Sequence, residues 1–540
     1  MRNIAVLFCV FILVACSKRE QVETIVISGK TYTVNQDFEI AEAFAVNEGK
    51  IVAVGSKDDI QNKFEADETL DFTGKTIVPG FIDAHCHFYN LGLNQNRVDL
   101  TGTTSFEEVM KRVVDFQNER NVSFIIGRGW DQNDWEDKNF PDKNLLDKLF
   151  PDKPVALTRI DGHAMLCNQA ALDLAGITSE SRIEGGEILK ENGKLTGVLI
   201  DNPMELVEGV YPEPTLEEQQ RALLDAQRIC FDLGLTTVSD AGLDKKVIEL
   251  IETMQKGEAL KMRVYAMISN TKENLDYYLP KGKIKTDYLN VRSVKVYADG
   301  ALGSRGAVLK APYSDKENHF GAMVIGVNDF KSLAQRIANS EYQMNTHAIG
   351  DSANRVVLNT YKDILNDDSD RRWRVEHAQV ITDNDFELFK NKNIIPSVQP
   401  THATSDMYWA GDRLGDEREK GAYAFKDLLD ASGTVALGTD FPVEKVSPLL
   451  TFYAAVARQD LEAYPEGGYL MDNALTREET LKGMTIWAAH ANFEEAEKGS
   501  IEVGKFADFI VLDKDIMTVD AKEIPNIKVI NTFIGGEQVK

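Results

Sequence analysis

Apolar and β-branched residues fall in short runs along this chain of 540 residues. From about residue 76 onward these runs alternate with stretches whose apolar positions recur at helical spacing. The runs predict strands over 76–84, 236–239, 262–268, 291–297, 343–347, 373–377, 394–398 and 434–438. Helical spacing separates most of them, as at 216–233, 329–340 and 352–365. Alternating strand and helix predict βα units around a parallel sheet. Eight such units indicate an α/β fold of the (β/α)8 TIM-barrel class. An open doubly wound sheet fits less well, because no glycine-rich nucleotide loop follows the first strand.

The two ends read differently. Residues 22–75 and 499–540 alternate apolar and polar positions between glycine turns such as Glu48-Gly49 and Gly535-Gly536, which predicts short antiparallel strands. These two pieces are expected to join in one composite β-sandwich, leaving 76–498 as the barrel domain. A connection of about 100–215 follows the first barrel strand. It is too long for a loose loop and is expected to form an inserted subdomain over the active face.

Composition narrows the partners. Sixty basic against 86 acidic side chains give a net charge of −26, which excludes nucleic acid and an anionic membrane surface. The first sixteen residues read as a leader: Arg2, an apolar run too short to span a bilayer, then Leu13-Val14-Ala15-Cys16. That ending resembles a bacterial lipobox. It predicts a signal peptide cut before a lipidated Cys16, and a lipoprotein anchored in the cell envelope, in the periplasm or at the outer membrane. The membrane contact would run only through that lipid. Cys86, Cys167 and Cys230 are too scattered for a disulfide framework and are expected to be buried free thiols.

The chemistry begins where the first barrel strand runs into His85-Cys86-His87. Side chains alternate along a strand, so His85 and His87 share one side and Cys86 faces the other. Two converging imidazoles suit a divalent metal. Active sites of these barrels sit at the C-terminal strand ends, and there the chain places Lys295 and Asp299, His347, Glu376-His377 and Asp440.

These motifs resemble the amidohydrolase superfamily over nearly all of the chain after the leader. Residues 79–87, Pro-Gly-Phe-Ile-Asp-Ala-His-Cys-His, are similar to its first-strand signature. His347, His377 and Asp440 match its later ligands. The segment Asp299-Gly300-Ala301-Leu302-Gly303-Ser304-Arg305 and the region of His163 look like the subgroup that includes N-substituted formamide deformylase. The resemblance implies that His85 and His87 hold one metal and His347 and His377 another, with Lys295 carboxylated by CO2 as the bridge. Asp440 would be both a ligand and the group that takes a proton from the attacking water and returns it to the departing amine. Zinc is the implied metal, one or two per chain, although the same ligands suit manganese, iron and cobalt. Were Lys295 instead paired with Asp299, a single-metal site would remain.

The substrate expected is a small-molecule amide, such as an N-substituted formamide or N-acyl compound. Deaminase, cyclic-amide, ester or phosphoester hydrolysis are the alternatives within the same chemistry, and a ligand-binding lipoprotein without catalysis lies outside it. His163, Trp130, Arg305 and His402 are the candidates for contacting substrate, with Trp409 beside them; packing is the alternative for the tryptophans. His319 and His490 read as structural. A homo-oligomer stays open.

Overall fold

The computed structural model describes residues 19–540 apart from 161, 163, 184, 185 and 366–368. The leader with Cys16, and His163, therefore lie outside the described residues.

Eight strands pair in chain order and in parallel: β1 (Phe81–Cys86), β2 (Leu235–Leu243), β3 (Arg263–Ser269), β4 (Leu289–Tyr297), β5 (Gln343–Ala348), β6 (Trp373–His377), β7 (Ile394–Val398) and β8 (Ala436–Leu437). The outward positions of these strands are buried too, as at Val294 and Val296, and in β3 inward and outward positions together give the continuous apolar run Val264–Ile268. No ladder joins β8 to β1. The turn after β8 closes the ring instead, with the Asp440 N–H donating to the His85 carbonyl at 2.8 Å. Gly438 permits this approach, since a Cβ there would lie 2.5 Å from the His85 nitrogen. The result is a nearly closed TIM-type barrel.

Its interior departs from the branched aliphatic layers usual for this fold. Arg374 is wholly buried inside it. Its guanidinium donates to Ser397 Oγ at 2.8 Å and to the Ala84 carbonyl, and it pairs with Glu376 at 2.7 Å. A charge so deep in the barrel is tolerable only because it is paired and hydrogen-bonded.

The expected first strand, 76–84, is two strands. Thr76–Pro79 leaves the barrel and pairs antiparallel with Phe509–Leu512, while Phe81–Cys86 pairs with β2. Pro79 has no N–H with which to continue a ladder. Gly80 then passes Thr236 so closely that a Cβ would meet its side chain at 2.3 Å. Strands from both chain ends complete one eight-stranded sheet with apolar clusters on both faces, Val26, Phe44 and Phe509 on one, Ile25, Ile27 and Ala45 on the other.

The crossover between β1 and β2 carries a six-stranded sheet of its own, from Arg97–Asp99 to Lys194–Asp201. It has separate apolar clusters, one of them built on Val98, Trp130, Trp135 and Leu157. This inserted lobe is a structured unit and not a loop.

Candidate metal centre and active site

Five barrel strands and their following turns bring His85, His87, Lys295, His347, His377 and Asp440 to one cavity of about 390 Å³ at the C-terminal mouth. Asp83 fixes the first part of it. Its buried carboxylate accepts from the His85 N–H at 3.1 Å, the Thr439 N–H at 3.1 Å and the Thr439 hydroxyl at 2.7 Å. The end of β1 and the turn bearing Asp440 are thereby held together. Backbone strain is concentrated here: His377, Ala378 and Asp440 all adopt positive φ, at 70°, 40° and 61°. Such conformations persist where the surroundings over-determine them, commonly at functional sites. Cys86 points away, its thiol 3.5 Å from the Ser239 carbonyl, and Cys86, Cys167 and Cys230 are all buried free thiols.

The histidines are aimed by what holds their other nitrogens. His85 Nδ1 lies 2.5 Å from the buried Glu376 carboxylate, which leaves Nε2 facing the cavity. His377 Nδ1 lies 2.7 Å from Gln399 Oε1. His347 has a backbone hydrogen bond at Gly300, while its Nε2 is buried with no hydrogen-bond partner. Burial pushes His85 down to about 4 and His347 to about 3, with Lys295 adding repulsion, and it takes His377 well below the usual range. All three are neutral at pH 7, as metal ligation requires. Burial pulls Glu376 upward, but Arg374 and His85 overcome it and hold the carboxyl at about 2.

Lys295 Nζ sits 2.9 Å from His85 Nε2, and burial lowers its ammonium to about 8. It does not pair with Asp299. That carboxylate is taken up by the N–H groups of Val308, Ile349 and Gly350 at 2.8–3.0 Å. Asp440 Oδ1 lies 3.2 Å from His87 Nε2 and 3.8 Å from His85 Nε2. Burial alone would raise Asp440, yet bonds to His402 and His87 hold it well below the carboxylate range. Ligand atoms of His85, His377 and Asp440 all lie within 4.8 Å of one another. Imidazoles whose other nitrogens are held by carboxylate, amide and backbone partners, with the Asp440 carboxylate among them, form a donor set that fits a divalent metal.

Among the substrate-contact candidates, His402 and Trp409 line the cavity. His402 bridges Asp440 Oδ2 at 3.2 Å and Glu444 Oε1 at 3.3 Å. Burial opposes its charge, but the two carboxylates push it up to about 10. Trp130 and Arg305 do not reach the cavity. Trp130 is buried in the lobe's own core, its indole N–H donating to the Leu157 carbonyl at 2.7 Å. Arg305 is held by Asp315 at 2.7 and 3.0 Å. Trp130→Phe should cost about 0.5–1.5 kcal/mol by removing the indole hydrogen bond to the Leu157 carbonyl and leave KM unchanged, as denaturation and steady-state kinetics would show. His319 and His490 engage the Arg305 carbonyl and Glu495.

Asp83, Gln399 and Glu444 were given no role from the sequence, and Glu376 stood there only as the neighbour of His377. Glu376 carried a usable signal. Arg374 and Glu376 are alternate positions of one strand, so both charges face the barrel interior.

The model of the amidohydrolase family matches residues 68–540. The chain belongs to that family. It is 32% identical over 537 residues to the protein LONG AFTER FAR-RED 3 of Arabidopsis thaliana, covering 96% of this chain and 91% of that one. It is 26% identical over 547 residues to the N-substituted formamide deformylase of Arthrobacter pascens, covering 95% and 97%. An uncharacterized metal-dependent hydrolase from Pyrococcus horikoshii superposes with a TM-score of 0.77 at 28% identity, covering 92% and 99%. Family membership, this likeness and the donor set make the chain a metal-dependent hydrolase.

Proposed function

We propose that this family member hydrolyses an amide-type C–N bond of a small molecule. The observation that carries the reading is the convergence of His85, His87, Lys295, His347, His377 and Asp440 on one cavity. His85 and His87 would hold one metal, His347 and His377 a second, with carboxylated Lys295 between them and zinc as the ion. The metal, when bound, supplies a Lewis acid that acidifies water and polarises a carbonyl. Asp440, kept ionised by His402 and His87, accepts the proton of the attacking water and returns it to the departing amine. His402 fixes the Asp440 carboxylate through Oδ2 and leaves Oδ1 toward the histidines. Glu376 holds the His85 ring in its orientation. Burial supports Lys295 carboxylation, since only the neutral amine adds CO2. The formamide deformylase relative favours an amide, and the leader favours export as a lipoprotein anchored through Cys16.

The test is metal content per chain together with turnover of formamides and N-acyl compounds. Two metals with amide turnover support the reading. In Lys295→Ala protein the content should fall to one or fewer, with activity lost. Two metals retained in that variant would remove Lys295 from the bridge, and no metal in the parent protein would sink the reading.

A further inference from the structure

Beside the metal cavity lies a second one of about 280 Å³, and Glu444 lines both. The helix Pro448–Ala457 forms part of its wall through Leu450, Tyr453 and Ala454, which share one face at spacings of three and four residues. Tyr408 and Leu461 also line it. Tyr408 is stacked on Tyr464 at 5.7 Å, and its hydroxyl is held by Asp460. Glu444 stands between the two cavities: it accepts from Ser405 Oγ at 2.6 Å and faces His402, which in turn contacts Asp440. Four large apolar side chains stay exposed at these two cavities and the stacked pair: Val443 69%, Tyr408 59%, Leu461 58% and Tyr464 55%. Apolar groups grouped this way around a concave site mark a ligand groove.

We propose that this second cavity binds an uncharged alkyl or aryl substituent of the substrate, carried past Glu444 while the scissile amide lies over the metal ligands. The assignment rests on the amide-hydrolase reading above. Glu444 and Asp460 line the second cavity against one cation, Lys445, so a carboxylate gains nothing there and amides of simple hydrophobic amines or acids are the better candidates.

The test uses hydroxamates, which chelate the metal without being hydrolysed, in C-alkyl and N-alkyl series from methyl to octyl. Binding to metal-loaded protein is measured by calorimetry. Affinity should rise about threefold per methylene as the tail enters the cavity, in at least one series. In Leu461→Arg protein, altered at an exposed position, the loss should grow with tail length to roughly tenfold at octyl. Flat affinity in both series, or a loss in the variant that is equal at every tail length, overturns the assignment. So would flat series together with vesicle binding to phosphatidylglycerol that Leu461→Arg abolishes, which would give the patch to a lipid surface. A parallel amide series separates the two readings. Tail-dependent hydroxamate binding without amide turnover keeps the cavity assignment and removes the amide, whereas amide turnover with flat hydroxamate binding does the reverse.

Discussion

Asp440→Asn protein should fold as the parent does and lose roughly 10²–10⁴-fold in kcat, the range for removing a positioned acid–base group. Asparagine matches aspartate in shape and tolerates the left-handed backbone at φ 61°, so the turn after β8 has no reason to move. What is lost is the anion. The carboxamide cannot take a proton from water, and it offers His402 and His87 one acceptor where the carboxylate offers two. Steady-state kinetics alongside a melting curve separate the effects. Full activity at an unchanged melting temperature would deny Asp440 its proton-transfer role.

Glu376→Ala should be the most damaging single change to the fold. The side chain is wholly buried, and its removal leaves the Arg374 guanidinium unpaired inside the barrel, a defect of about 3–5 kcal/mol. It also frees His85 Nδ1, and losing such a support should weaken metal binding about 10–100-fold. Denaturant titration reads the first effect and competition with a chelator the second. Glu376→Gln preserves volume and an acceptor and should fall between parent and alanine in both. Parental stability in Glu376→Ala would show that Arg374 finds its compensation elsewhere.

The barrel was legible because doubly buried strands leave a plain mark. In β3 the residues Val264, Tyr265, Ala266, Met267 and Ile268 are all buried, so the sequence there is apolar without interruption. His85, His87, His347, His377 and Asp440 were legible for a related reason: polar groups abruptly ending such runs must lie at the strand mouths. The supporting residues were not. A buried carboxylate like Glu376 has the same letter as a solvated one, and only its partner, Arg374, distinguishes them. Trp130 was open to a pocket role or a packing role in the sequence, and its indole is buried in the lobe's own core. Gly129, at φ 114°, lets the chain pass Thr101, and Gly127 packs on Val98 and Leu157. Those glycines serve close packing within the lobe. Where the first strand divides, the sequence did carry the signal, since Pro79-Gly80 breaks the run.

The pairing of Thr76–Pro79 with Phe509–Leu512 has a consequence for the order in which the protein comes into being. The strand leading directly into His85 and His87 has its antiparallel neighbour in residues made only after all eight barrel strands. Until residues 509–512 have emerged, that lead-in lacks this partner and its sheet is incomplete. Domains are otherwise built from the N-terminus as they emerge. Here the earliest ligands made are among the last to gain this sheet partner, so a chain cut between Asp440 and Phe509 carries every metal-site side chain and lacks the strand that pairs with the lead-in to the first two.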